Sequence, residues 1–393
     1  LREQFTDPTR FNRIRKLIFL GVFLTGVNLL IIGLLTYEGY RYMESNAFCG
    51  RFCHTVMEPE YTAYQHSPHS RVGCVECHIG EGATWFVKSK LSGVRQLFAV
   101  AFDTYSRPIE TPVYGLRPAR ETCEECHQPD KFHGDKLYVI DKFLPDEQNT
   151  HVKTVIMMKI GSAGGRVESP HGIHWHVARE NTIVYRHLDY ERMQIPEVTL
   201  IKPDGSRIVY TSETVEEVAS EGTAGEREMD CVDCHNRPTH IYLPPDRALD
   251  RKIVAGQIPK QLPYIKRQAL QAITQDYETK EAAREAIAQS LTGWYQENYP
   301  EMIQKDPSLL AKAVKGAQEA YSENVFPNMN VNWNTYTNHI GHGEDFDKGC
   351  FRCHDGEHVS EEGEVISSDC ETCHIILAEE EESPEVLGIL ESR

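Results

Sequence analysis

Cysteine and histidine recur in this sequence at a fixed spacing. Two cysteines separated by two residues and followed directly by a histidine occur five times. The three positions of each motif are Cys74, Cys77 and His78; Cys123, Cys126 and His127; Cys231, Cys234 and His235; Cys350, Cys353 and His354; and Cys370, Cys373 and His374. Two thiols one turn apart can add to the two vinyl groups of one haem, and the next residue can place an imidazole under the iron. The spacing predicts covalent haem attachment at five sites.

The two remaining cysteines form a variant of this motif. Cys49 and Cys53 are separated by three residues, and His54 follows them. All 12 cysteines are therefore used in pairs, which predicts six covalently attached haems. A disulfide, or a motif that has lost its haem, is the alternative at this site. Met57 is a further candidate ligand there, because a thioether binds haem iron and raises its potential, although it could also only pack against the porphyrin.

Other uses of cysteine pairs fit less well. Structural zinc uses four thiolates from two pairs and needs no histidine after each pair. A thioredoxin-like motif occurs once, in a βαβ setting, and disulfides do not give such regular spacing. The chain has 41 basic and 59 acidic residues, a formal net charge of −18, which argues against a general nucleic-acid binder.

Twelve of the 18 histidines lie outside the motifs. An electron carrier needs six-coordinate iron, so these histidines are the source of second axial ligands. The favoured candidates are His69, His174, His240, His339, His342 and His358, with His171 and His176 in the same cluster as His174. The weaker candidates are His66, His133, His151 and His187. The sequence does not assign any of them to a particular haem.

Residues 17–36 carry no charge and are long enough to cross a bilayer as a helix. Basic residues precede this segment, at Arg10, Arg13, Arg15 and Lys16. This arrangement predicts a single-pass protein of the bacterial inner membrane with a cytoplasmic N-terminus and an exported haem domain. The segment lacks the small residues of a signal-peptide cleavage site, so an uncleaved anchor is expected. Because the chain begins with Leu, a few residues are expected to precede it.

The expected fold class is a multihaem cytochrome c with one transmembrane helix and an exported α+β domain. The predicted segments are a cytoplasmic N-terminus (1–16), the anchor (17–36), a three-haem module with sparse secondary structure (37–136), a β-rich insertion (137–230), a haem motif with a helical segment (231–338), and a two-haem module with an acidic tail (339–393). Alternating patterns predict strands at 136–140, 154–160, 181–188, 198–202 and 207–212, with a turn at 203–206 and a connector at 220–225. Apolar spacing of three and four residues predicts helices at 265–277, 280–299 and 308–325.

The N-terminal third resembles the NapC/NirT family of membrane-anchored multihaem quinol dehydrogenases. The resemblance rests on FCGRFCHTVMEP at 48–59, Ser67-Pro68-His69 and the motif at Cys74, and it extends over about residues 15–130. Longer relatives share residues 229–240 and 349–355. Small members have four haems and a Cys-x-x-Cys-His-x-Met first site, whereas this sequence has six motifs and a Cys-x-x-x-Cys-His-x-x-Met first site. The resemblance implies quinol as electron donor.

The residues give their own reasons for a quinol site. Cys49 follows the apolar span closely, and residues 84–102 form an amphipathic pattern suited to a membrane interface. Quinol oxidation releases protons, and the nearby ionisable candidates are Glu58, Lys88, Lys90 and Asp103. An ordinary amphipathic helix packed on haems is the alternative. The resemblance also implies that a Lys or Asp of this region can approach haem iron.

The leading hypothesis is a quinol dehydrogenase that relays electrons through haems to a periplasmic partner. One alternative is an electron-transfer subunit of a larger respiratory complex in which another subunit oxidises quinol. A terminal reductase for a nitrogen or sulfur oxyanion is a weaker alternative. Motif spacing suggests two tightly coupled haem pairs, at Cys49/Cys74 and Cys350/Cys370. The acidic run Glu379–Glu382 is expected to be a solvated tail, with docking of a basic partner as the alternative.

Overall fold

The structure, a computed structural model, describes residues 8–52, 54–113, 117–132, 134–161, 172–178, 180–215, 224–343 and 345–391. Its first element is the helix α1, Pro8–Met43, which contains the predicted anchor. At 1.5 Å per residue it is about 54 Å long, more than the hydrocarbon core of a bilayer requires. It is long and apolar enough to cross a membrane, and the apolar window within it is fully exposed. None of the described residues covers this apolar window, which is suited to contact with lipid.

Short helices carry the first four cysteine motifs. A π-helical turn spans Phe48–Phe52, and it is followed by α2 (His54–Gln65), α3 (Cys74–His78), α4 (Ala83–Ala101), α5 (Ala119–Cys123) and α6 (Cys231–Cys234). The last two motifs lie on 3₁₀ turns at Gly349–Arg352 and Cys370–Thr372. The helix α4 corresponds to the amphipathic segment predicted from the sequence.

Two antiparallel sheets follow the three N-terminal motifs. The strands are β1 (Lys136–Phe143), β2 (His151–Met158), β3 (Thr182–His187), β4 (Glu197–Ile201), β5 (Arg207–Ser212), β6 (Gly225–Glu228), β7 (His358–Ser360) and β8 (His374–Glu381). Their orders are β1-β2-β8 and β6-β3-β4-β5-β7. All five predicted strands are present, and Gly205 provides the positive φ of the predicted turn. Of the predicted connector, residues 220–223 lie outside the described chain, and Gly225 begins β6.

Strand pairing joins the β-rich region to the C-terminal module. Each sheet is completed by a strand from the C-terminal module, because β7 pairs with β5 and β8 pairs with β2. The acidic run also differs from the expected tail, since Glu379–Glu381 belong to β8. Its side chains are exposed. Backbone pairing between β8 and β2 holds the run in place, and the side-chain pattern of the sequence does not predict this pairing. Because β8 begins at His374 and pairs with β2, the first sheet fixes the last motif beside residues 151–158.

A helical unit without cysteine motifs fills residues 245–322. It consists of α7 (Pro245–Val254), α8 (Ile265–Ile273), α9 (Lys280–Asn298), α10 (Pro300–Lys305) and α11 (Pro307–Ser322), and α12 (Glu385–Glu391) follows near the C-terminus. Its core includes the fully buried Leu249, Ile287 and Leu291. Asp250 accepts hydrogen bonds from the buried Lys266 ammonium and from the backbone N–H of Phe143 in β1. The ion pair links α7 to α8, and the hydrogen bond from Phe143 joins the helical unit to the first sheet.

Candidate functional site

The motif histidines are paired across space with histidines from outside the motifs. In five pairs the two imidazole centroids lie between 5.8 and 6.4 Å apart. The pairs are His69–His127 (5.9 Å), His78–His240 (6.2 Å), His174–His235 (6.4 Å), His176–His354 (5.8 Å) and His342–His374 (6.2 Å). Each pair contains one motif histidine and one other histidine.

This separation fits a metal ion held between two imidazoles. A ligating ring nitrogen lies about 2 Å from a metal, and the ring centroid lies roughly 1.1 Å behind it, so the centroids of two rings on opposite sides of one ion would be about 6.2 Å apart. The motif cysteines beside the pairs, in the described part of the chain, carry free thiols. No group of three or more His, Cys, Asp or Glu side chains among the described residues is arranged to hold a metal ion directly. Thiols and facing imidazoles together fit covalently attached haem.

The pKa shifts of the paired imidazoles also fit a role as haem ligands. Burial lowers the pKa of five of them: His78, His176, His235, His240 and His374. A neutral imidazole is the form that ligates a metal. Within the described chain, Nδ1 of His69 and of His374 is buried without a hydrogen-bond partner. Buried polar nitrogens normally have partners, so both rings have capacity left for a further bond.

One short segment serves two motifs. The 3₁₀ turn Ile173–Val177 carries His174 and His176. These two rings face different motif histidines, His235 and His354. From the sequence, His176 is expected only as a member of the cluster around His174, and the His-x-His spacing is the available signal for a second ligand. The segment therefore bridges the fourth and fifth motifs.

Two favoured candidates lie elsewhere. His358 is fully buried, and its ring nitrogens bond to Asp355 Oδ1 at 2.9 Å and to the Ile195 carbonyl at 2.8 Å. Both nitrogens are engaged, so this histidine has a structural role. His339 is buried, its Nε2 lies 3.3 Å from the Glu191 carbonyl, and its Nδ1 has no hydrogen-bond partner among the described residues. It faces none of the motif histidines whose side chains the structure describes.

The weaker candidates bond to protein groups as well. His66, His151 and His187 contact Glu323, Asp141 and the Asp189 carbonyl, respectively. His133 and His171 lie outside the described residues. Four of the six favoured candidates thus face a motif histidine. Distance from a motif along the sequence does not distinguish these four from His339 and His358, which also lie near motifs.

The first motif is built differently from the rest. The π-helical turn Phe48–Phe52 has more residues per turn than an α-helix, so it can absorb the extra residue between Cys49 and Cys53. Gly50 is buried in this turn, and a Cβ there would lie 2.1 Å from Cδ2 of Tyr61. Cys53 and the side chain of His54 lie outside the described part of the chain. Met57 is half-buried on α2, one turn beyond the start of that helix.

Successive motifs are neighbours in space in chain order. The thiols of Cys49 and Cys74 lie close enough to shift each other's pKa, and so do those of Cys123 and Cys231. The other successive motifs approach closely enough for their thiols to interact electrostatically, at Cys77 and Cys126, Cys234 and Cys350, and Cys350 and Cys373. The two tightly coupled pairs that motif spacing suggests are therefore linked through the other motifs in one continuous series.

The helix α4 lies against the C-terminal end of α1. Lys90 forms an ion pair with Glu44 at 3.3 Å, and the ring of Phe86 lies 5.9 Å from that of Tyr40. A neighbouring, apolar side of α4 is uncovered: Leu91 is 68% exposed and Phe98 is 60% exposed. The contact with α1 therefore keeps this apolar side close to the end of the candidate membrane helix.

The four predicted quinol-site residues are not gathered at one point. Lys90 is at the junction of α1 and α4, whereas Lys88 is exposed and lies over the Trp85 ring at 4.4 Å. Glu58 forms an ion pair with Lys280 of the helical unit at 2.9 Å. Asp103 pairs with Arg107. Sequence reasoning missed Glu44. Its role as a candidate follows from its ion pair with Lys90, which forms because α4 packs against the end of α1.

Comparison with known proteins identifies the family. Residues 12–111 match the N-terminal region of the NapC/NirT cytochrome c family. The chain is 45% identical over 388 residues to the cytochrome c-type protein ImcH of Geobacter sulfurreducens, covering 97% of this chain and 74% of that protein. It is 29% identical over 121 residues to the cytochrome c-type protein NrfH of Wolinella succinogenes, covering 30% of this chain and 68% of that protein. No solved structure matches. The chain therefore belongs to the NapC/NirT family of membrane-anchored c-type cytochromes, which transfer electrons through covalently bound haem.

Proposed function

We propose that this cytochrome oxidises membrane quinol beside its first motif and relays the electrons through six haems to a redox partner outside the inner membrane. The observation that carries the quinol part is the position of α4. Its uncovered apolar side, with Leu91 and Phe98, is held at the end of the membrane helix by the Lys90–Glu44 pair. A lipid-soluble donor can reach such a surface without leaving the bilayer.

The protein groups at this junction suit proton release. Oxidation of one quinol yields two electrons and two protons, and covalently bound haem supplies the one-electron acceptor. Lys90 can donate a hydrogen bond to a quinol oxygen, which fixes the ring against α4. Glu44 can accept the hydroxyl protons one at a time, and its side chain is 20% exposed, which gives each proton a route to water.

The relay is supported by the order of the motifs. Haems attached at neighbouring thiols would follow the chain from Cys49 to Cys373 without a gap. Five of them would have two axial histidines, which gives low-spin iron suited to electron transfer. This ligand set also argues against a terminal reductase, because a reductase needs an open iron position. Only the first site is without an assigned pair among the described residues.

The first experiment counts the haems. We expect the mass of the intact purified protein to exceed that of the polypeptide by six haems. An excess of five would remove the haem at the variant motif, and with it the proposed contact between quinol and the first acceptor.

A second experiment tests the quinol surface. Charged residues on the apolar side of α4, in the variant Leu91→Glu with Phe98→Glu, should abolish haem reduction by a lipid-soluble quinol and leave reduction by dithionite complete. The matched control adds two charges to the opposite side, by Ser92→Glu with Gln96→Glu, and should keep quinol reduction. Equal rates of haem reduction by quinol in the two variants would show that the apolar side of α4 is not the quinol-binding surface.

The same measurement separates the alternative role in a larger complex. If another subunit oxidises quinol, the wild-type chain purified alone is not reduced by quinol, whereas the purified complex is. We expect the chain alone to be reduced, because the uncovered side of α4 and the Lys90–Glu44 pair both belong to it.

A further inference from the structure

The histidine His240 has a different environment from the other paired histidines. Its Nδ1 lies 2.9 Å from the carbonyl oxygen of Glu60 and 3.2 Å from the Glu60 carboxylate. Among the described pairs, four other histidines direct Nδ1 only to a backbone carbonyl: His174, His176, His342 and His354. His240 is thus the paired histidine with a carboxylate partner in the described chain.

The carboxylate of Glu60 is held in place from its other side. Arg237 donates two hydrogen bonds to it, at 2.9 and 3.0 Å, and also donates to the carbonyl of His240 at 2.7 Å. The guanidinium is itself fixed, because it is buried and lies 3.9 Å from the ring centroid of Tyr336. Glu60 is in α2, the helix that follows the first motif, whereas Arg237 and His240 follow the fourth. The contact therefore joins distant parts of the chain.

We propose that Glu60 is a positioning residue that gives the second haem, between His78 and His240, the lowest potential of the five bis-histidine haems. This inference rests on the ligand pairs of the proposed function. A carboxylate bonded to the outer nitrogen of a ligating imidazole fixes the ring and increases its basicity. A more basic ligand and a nearby negative charge both favour ferric iron over ferrous iron. Arg237 offsets part of this effect, but its guanidinium faces the carboxylate rather than the imidazole ring.

The consequence concerns the rate of electron flow. The second haem lies between the first acceptor and the rest of the series. If its potential is the lowest, transfer onto it is uphill from the first haem and from the third. The contact between Glu60 and His240 would then slow electron exchange across the second haem in both directions.

The test is a redox titration of the full-length protein with all haems attached. Glu60→Gln should raise the midpoint potential of one haem and leave the others unchanged. Glu323→Gln is a matched control, because Glu323 also bridges a cation, Lys252 at 2.6 Å, and a histidine, His66 at 3.4 Å, that faces no motif histidine. No shift in Glu60→Gln, or the same shift in both variants, would overturn the proposal.

Two further variants separate tuning from damage to the fold. Arg237→Gln removes the offsetting charge, so it should lower the potential of the haem that Glu60→Gln raises. The double variant Glu60→Gln with Arg237→Gln leaves no unpaired buried charge. Its haem potential should still be raised, but by less than in Glu60→Gln alone. Shifts in the same direction for both single variants would overturn the proposal.

Failure of the ligand assignment is distinguishable from failure of this inference. His240→Ala converts one haem from low spin to high spin if His240 is a ligand. A high-spin haem in His240→Ala together with an unshifted Glu60→Gln would reject the role of Glu60 alone. Unchanged spin states in His240→Ala would reject the ligand pair, and with it the proposed axial set of the second haem.

Discussion

The imidazole rings of His174 and His235 lie 6.4 Å apart and within 3° of parallel. His174 is held in this orientation by a hydrogen bond of 2.6 Å between its Nδ1 and the carbonyl of Ile160. The neighbouring pair, His176 and His354, is inclined by 71°. Two adjacent haems would therefore have opposite arrangements of axial rings, although their ligands come from one short segment.

This contrast predicts two distinguishable spectra. Parallel ring planes separate the energies of the two iron orbitals that interact with the ligands, whereas perpendicular planes leave them nearly equal. We expect His174→Ala to remove a rhombic low-spin signal from the electron paramagnetic resonance spectrum of the oxidised protein. His176→Ala should instead remove a signal of the strongly anisotropic type. In both variants one haem should become high spin.

The control for these variants is His66→Ala. This histidine is half exposed and bonds to Glu323 and the carbonyl of Thr62. It should leave both signals unchanged. If His174→Ala leaves six low-spin haems, or if both histidine variants remove the same signal, the ligand pairs are wrong.

Much of this architecture could be predicted from local patterns. The attachment motifs depend on spacing within six residues, and the strands and helices on alternation within about ten. The pairing of His69 with His127, or of His78 with His240, depends on chain folding over 58 and 162 residues (127 − 69 and 240 − 78). A single sequence holds no local signal for contacts of that kind.

The differences between the structure and the sequence-based expectations have the same origin. His358 has the residue type and the position of a ligand, three residues past Asp355, but it is consumed by a hydrogen bond to the carbonyl of Ile195 in another segment. The strand β8 has few alternating residues, and it forms because β2 offers it an edge. In both cases a distant partner determines the outcome.

The variant first motif leads to a prediction about Gly50. A Cβ at this position would lie 2.1 Å from Cδ2 of Tyr61, far closer than two carbon atoms can approach. Gly50→Ala must therefore displace Tyr61 or open the π-helical turn that presents Cys49. We expect this variant to lose one haem by mass, with the five regular motifs still loaded.

A matched change is available in α4. Gly93 has no atom within 4 Å of a Cβ, so Gly93→Ala should keep all haems and stabilise the helix by about 0.5–1 kcal/mol. The double variant Gly50→Ala with Tyr61→Ala removes the clash and should recover the lost haem. A full haem complement in Gly50→Ala alone would show that the turn does not need glycine.

His339 gives a prediction about pH. Burial, with the nearby Arg352 charge, lowers its pKa to about 4. The unfolded chain, with an ordinary histidine pKa of about 6.5, binds more protons than the folded chain between these values, so stability falls as pH decreases through this window. The shift corresponds to about 3 kcal/mol.

The measurement is denaturant unfolding between pH 7 and pH 4. His339→Gln should show a smaller loss of stability on acidification than the wild-type protein, and its haem absorption bands should be unchanged. His66→Gln, which removes an exposed imidazole, controls for the loss of a histidine as such. Equal pH dependence in the two variants would contradict the argument, and a high-spin haem in His339→Gln would make His339 a ligand.

The last prediction concerns the axial ligand of the first haem. The helix α2 begins at His54 and includes Met57. Positions three apart on a helix lie on the same face, so positions 54 and 57 both address one side of a haem and cannot occupy opposite sides of its iron. The extra residue between Cys49 and Cys53 displaces position 54 relative to the thiols, which favours Met57.

We therefore expect Met57→Leu to change the spin state or the potential of one haem and to slow reduction by quinol, because thioether ligation raises the potential of the first acceptor. His54→Ala should leave the spin state and the potential of that haem unchanged. The opposite result, with an effect of His54→Ala and none of Met57→Leu, would show that the histidine binds the iron and that the methionine only packs against the porphyrin. Effects of equal size in both variants would contradict a single ligand from this face of α2.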